Sequence, residues 1–110
     1  NHLKEYNKAI EVLEKAIENN PKNYFFYREL GFSYAKLEKL GEAEKVYKKG
    51  IRMSDDNFQK AEMAINMAQA YTLIKNEKKF KEWAKVVKKY AEKDSDFLKM
   101  LVHYENYINQ

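Results

Sequence analysis

Apolar residues recur at helical spacing along nearly the whole of this chain, and the stripes they form repeat every 34 to 40 residues. A shift of 34 lays Ala9 on Ala43, Val12 on Val46 and Ile17 on Ile51. A shift of 37 lays Leu30 on Met67, Gly31 on Ala68 and Tyr34 on Tyr71, and one of 40 lays Glu42 on Glu82 and Val46 on Val86. Two kinds of helix therefore alternate. A helix pair of this size cannot bury its apolar face alone, so the pattern calls for pairs stacked on neighbours.

The stripes define six helices. Tyr6, Ile10, Leu13 and Ile17 mark the first, which stops at NNPKN because Pro21 cannot continue it. The second spans about 24–37, the third 41–53, the fourth 58–75, the fifth 78–92 and the sixth 97–108. Asp56 or Asn57 is placed to cap the fourth, and Asp94 or Ser95 the sixth. No segment alternates with period two over strand length, so the fold is all-α.

Composition narrows the function. With no cysteine in 110 residues, disulfides, thiolate chemistry and sulfur-bound zinc are excluded. A net charge of +4 is too small to argue for nucleic acid. No apolar run reaches the roughly 18 residues that suggest a membrane span. The opening NHLKEYNKAI has no signal-peptide core and no initiating methionine, so we expect a cytoplasmic segment of a longer protein.

Residues 24–57 resemble the tetratricopeptide repeat. That family places an aromatic, a Leu-Gly pair and a Tyr at the spacing of Tyr27, Leu30-Gly31 and Tyr34, then small, aromatic and small residues at Ala43, Tyr47 and Gly50. Its closing proline falls on Asp55, a departure, whereas Pro21 stands where the preceding repeat should close. The resemblance implies a right-handed superhelical solenoid of antiparallel helix pairs. Residues 1–20 would be the second helix of an incomplete repeat and 24–57 a full repeat. Residues 58–95 would be a degenerate repeat lengthened in its linker and turn, and 96–110 a capping helix, all in one domain.

This frame accounts for the glycines, all three of which lie at positions 31, 41 and 50. Inside a helix each is worse than alanine by about 0.8–1.0 kcal/mol. Gly31 and Gly50 fall where helices of the family cross closely, and a side chain there overpacks at a cost of about 1–3 kcal/mol. Gly41 is expected at the turn between helices, where its conformational freedom would serve the reversal.

The resemblance also implies a non-catalytic scaffold that holds a partner's peptide against the first helices of its pairs. The candidate contacts are Arg28 and Phe32 on the second helix, Asn66 and Gln69 on the fourth, and Lys99 and His103 on the sixth. Phe25, Glu62, Ile65, Leu73, Val102 and Asn106 would line the same surface. An amide such as Asn66 or Gln69 can bond both N–H and C=O of a peptide backbone. Arg28, Lys99 and His103 would favour an acidic ligand, although Phe32 stands where chaperone-binding members carry an asparagine. No cofactor, metal, small-molecule substrate, membrane or nucleic-acid partner is expected. The lysines of KKFKEWAKVVKKYAEK read as a solvated face and Phe80 and Trp83 as core. The alternative is a structural or oligomerisation domain that self-associates through the N-terminal helix.

Overall fold

The computed structural model describes residues 2–110; 82% of these are helical and none lies in a strand. The helices are α1 (His2–Asn19), α2 (Tyr24–Lys36), α3 (Leu40–Met53), α4 (Asn57–Leu73), α5 (Glu77–Tyr90) and α6 (Asp96–Ile108). They fall into two compact units that divide between Asp55 and Asp56. In the first, α2 packs against both α1 and α3; in the second, α4 packs against both α5 and α6.

Side chains set the helix starts. Asn23 Oδ1 accepts the Phe25 N–H at 3.1 Å, Asp56 Oδ1 that of Gln59 at 3.0 Å, and Asn76 Oδ1 that of Lys79 at 3.1 Å. Each satisfies one backbone donor that the helix leaves unpaired. Ser95 holds the cap position of α6, but its hydroxyl makes no capping bond.

The turns within the two pairs are alike. After α2, Glu38 N–H bonds Ala35 C=O at 3.0 Å and Lys39 N–H bonds Tyr34 C=O at 2.9 Å. After α4, Lys75 N–H bonds Thr72 C=O at 3.0 Å and Asn76 N–H bonds Tyr71 C=O at 3.0 Å. Both are Schellman turns, with Glu38 (φ 60°) and Lys75 (φ 53°) in the left-handed position that glycine usually fills. The part expected of Gly41 is thereby corrected. It lies inside the first turn of α3, no described glycine has positive φ, and a Cβ there would meet nothing within 4 Å.

These turns also fix the register of the two pairs. From Tyr34 and Tyr71 onward the shift is 37, so α3 at 40–53 maps onto α5 at 77–90. The shift of 40 that matches Glu42 with Glu82 is therefore wrong for the third helix. At 37, buried Ala43, Tyr47 and Gly50 fall on buried Phe80, Ala84 and Val87. Nor are the linker before α4 and the turn after it lengthened: each has three residues, like the turn after α2. The extra length lies in α4 itself, 17 residues against 13 in α2.

In the first unit the core is Ile10, Tyr27, Leu30, Ala43 and Tyr47. Tyr27 donates its hydroxyl to the Pro21 carbonyl at 2.6 Å, tying α2 to the turn that precedes it. Gly31 lies under the Tyr47 ring, where an added Cβ would stand 2.6 Å from both Cε1 and Cε2. The Tyr47 hydroxyl then reaches the Arg28 carbonyl at 3.1 Å, so the ring is held at both ends. The close crossing expected at Gly31 is present, and Gly50 is buried on α3. In the second unit α4 is buried on most of its circumference, as a helix flanked by two others should be. Phe80, Trp83 and Val87 of α5 and Leu101 of α6 complete that core.

Candidate functional site

The exposed side of α2 carries a row of alternating rings and cations. Phe25, Arg28, Phe32 and Lys36 follow one another at steps of three and four, which places them on one face. Phe25 and Phe32 are each 45% exposed. The Arg28 guanidinium lies 5.1 Å from the Phe25 ring centre and 5.8 Å from that of Tyr24, and Lys36 Nζ lies 5.2 Å from that of Phe32. These are cation–π distances. Arg28 Nε also reaches Glu29 Oε2 at 3.4 Å. From α1, Tyr6 meets Phe32 edge-on with ring centres 6.3 Å apart.

The opposite side of α2 explains why this row is fixed. Tyr27, Leu30 and Gly31 bury that side, and the Arg28 backbone receives the Tyr47 hydroxyl from α3. The display of Arg28 thus depends on the core beneath it. Tyr34 donates to Glu14 Oε1 at 3.0 Å. Burial raises its pKa above the usual 10.0, and the bond to Glu14 and the charges of Glu14 and Glu42 raise it further.

On α4, one residue expected at the surface is not there. Ile65 is only 2% exposed and belongs to the core, because α4 turns that side onto its neighbours. Glu62, Asn66, Gln69 and Leu73 remain on a single outward face at steps of four, three and four. Asn66 is half-buried and Gln69 exposed. On α6, Lys99, Val102, His103 and Asn106 are exposed, and Lys99 Nζ stands 3.9 Å from Asp96 Oδ1.

The structure thus groups the six site residues as helix-face pairs: Arg28 with Phe32 in the first unit, Asn66 with Gln69 and Lys99 with His103 in the second. The sequence alone does not disclose the role of Tyr6, since its place in an apolar stripe marks it as core. It is half-buried, and its ring edge supports Phe32.

Among the described residues no helix is long and apolar enough to cross a membrane. No curated protein and no solved structure matches the chain. A family model, that of the tetratricopeptide repeat, matches residues 12–45. That window takes in the end of α1, all of α2 and the start of α3, and includes Gly31 with the whole ring-and-cation row. Such repeats are typically non-catalytic and generally mediate protein–protein interaction. Residues 12–45, therefore, are similar to a tetratricopeptide repeat, which supports the resemblance read from Tyr27, Leu30-Gly31 and Tyr34.

Proposed function

We propose that the chain is a non-catalytic scaffold that binds a peptide segment of a partner protein through the outward faces of α2, α4 and α6. The observation that carries this reading is the row on α2. Rings as large as Phe25 and Phe32 held at the surface are the kind of anchor that dominates protein interfaces, and charge at their edges gives direction. Arg28 and Phe32 would supply the anchor. Asn66 and Gln69 would bond the peptide backbone, and Lys99 and His103 would add positive charge suited to an acidic segment.

The test is retention of proteins from a lysate by the immobilised chain, compared with an Arg28→Ala/Asn66→Ala variant of equal helicity. Proteins held by the wild type and lost by the variant support the reading. An identical set on both would sink it. The competing reading, a structural domain that pairs through α1, draws on Val12, which is 66% exposed beside half-buried Ala9 and Ala16. A mass that rises with concentration and falls back in Val12→Lys would favour it.

A further inference from the structure

The second unit contains a cleft of about 510 Å³ where α4 begins, α5 ends and α6 begins. Three aromatic residues line it: Phe58, Tyr90 and Phe97. Phe58 is 61% exposed, and its ring centre lies 5.2 Å from that of Phe97. A solvent-facing phenylalanine resting on a second ring offers a guest an apolar wall.

The polar lining indicates what kind. Glu62, Glu92, Asp94 and Asp96 all border the cleft, and no lysine or arginine does. This is a concentration of negative charge in a chain whose net charge is +4. The C-terminal end of α5 opens onto the same space through Tyr90 and Ala91, and helix C-termini attract cations. The starts of α4 and α6 carry the opposite partial charge, but Asp56 answers α4 and Asp96 sits in the first turn of α6. At the wall, Ser95 Oγ is buried without a hydrogen-bond partner, a hydroxyl that can accept a bond from a guest's N–H.

One ring of the lining, Tyr90, already holds cations. The chain's own Lys60 and Lys89 lie 4.9 and 5.3 Å from the centre of the Tyr90 ring. Aromatic faces combined with carboxylates favour a cation whose bulk is apolar. We propose that this cleft binds the basic side chain of a partner protein, the ammonium or guanidinium lying against Phe58 and Phe97 and neutralised by Glu92 and Asp94. An N–H of the guest would bond Ser95 Oγ. This inference is independent of the α2 face and involves other residues.

The test is an NMR titration of the isotope-labelled full chain with N-acetyl-arginine amide, N-acetyl-lysine amide and its Nζ-trimethyl form, with N-acetyl-glutamate amide as the anionic control. Saturable shifts at the Phe58, Ala61, Ala91 and Phe97 amides, with the cations only, are the expected result. Phe58→Ala and Glu92→Gln/Asp94→Asn should each weaken binding about fivefold at unchanged helicity. Preference for the trimethyl form would mean that the rings dominate, preference for arginine that the carboxylates do; either supports the proposal. No shifts at these amides, equal shifts with the anionic probe, or wild-type binding by Phe58→Ala would overturn it.

Discussion

The α2–α3 and α4–α5 pairs follow one plan and fill it differently. Both close with a Schellman turn on a non-glycine residue, and both bury the same three positions of their second helix. At the crossing, the first pair sets Gly31 under Tyr47, while the equivalent positions of the second are Ala68 and Ala84. A missing side chain on one helix thus admits a large ring on the other, whereas the second pair carries a small residue at each of the two positions. The ring also brings a hydroxyl, which Tyr47 uses to fasten the Arg28 carbonyl beneath the exposed row.

Tyr47→Ala should break this comparison most severely. It removes a buried ring and a buried hydrogen bond, so we expect a loss of about 3–5 kcal/mol in chemical denaturation. Hydrogen exchange should quicken through α2 and α3. Gly31→Ala should cost less, about 1–2 kcal/mol, because overpacking against the ring outweighs the gain in helix propensity. That cost should vanish in a Tyr47→Ala background, since the coupling belongs to the pair. Additive losses would mean that the ring is not what Gly31 accommodates. Ala68→Gly, by contrast, should destabilise by about 1–2 kcal/mol, because it loses both helix propensity and the packing of a buried methyl.

Alkaline pH sharpens the comparison in another way. Burial raises the pKa of Tyr27 and Tyr104 above 10.0, and Tyr34 is raised by burial and by Glu14. A raised value means that the fold favours the neutral hydroxyl. This contribution is fully present below pH 10 and is lost as pH climbs through the folded-state values. Melting temperatures should therefore hold up to pH 10 and drop as the pH rises above it. The drop should be shallower in Tyr27→Phe, whose phenol donates to Pro21. The smallest effect concerns the turns. Glu38→Gly and Lys75→Gly relieve left-handed backbone at the cost of chain entropy, and each should stabilise by up to about 1 kcal/mol. Equal gains at both would confirm that the turns are equivalent.

Much of this was legible because it is local. Apolar spacing located all six helices to within two residues, and Pro21 and Asp56 marked boundaries by what their own atoms can or cannot bond. Gly31 was legible because a glycine inside a strong helix needs a reason, and Tyr47 supplies it. What misled was identity without geometry. Matching glutamates and valines suggested a shift of 40, although the backbone turns impose 37. Gly41 looked like a turn residue only because glycine often is one, and Glu38 takes the strained conformation instead. Tyr6 and Ile65 changed places for a similar reason: which side of a helix is covered depends on how many helices flank it.

By itself, then, the sequence determined an all-helical chain, its caps and breaks, and a glycine that demands a close neighbour, because each follows from bonds and volumes within a few turns of helix. Only the tertiary structure decided which ring fills the space above Gly31, which faces of α2 and α4 stay exposed, and that Phe58, Phe97 and four carboxylates border one cleft. Those outcomes depend on residues distant in the chain competing for the same volume, and no local pattern records who wins.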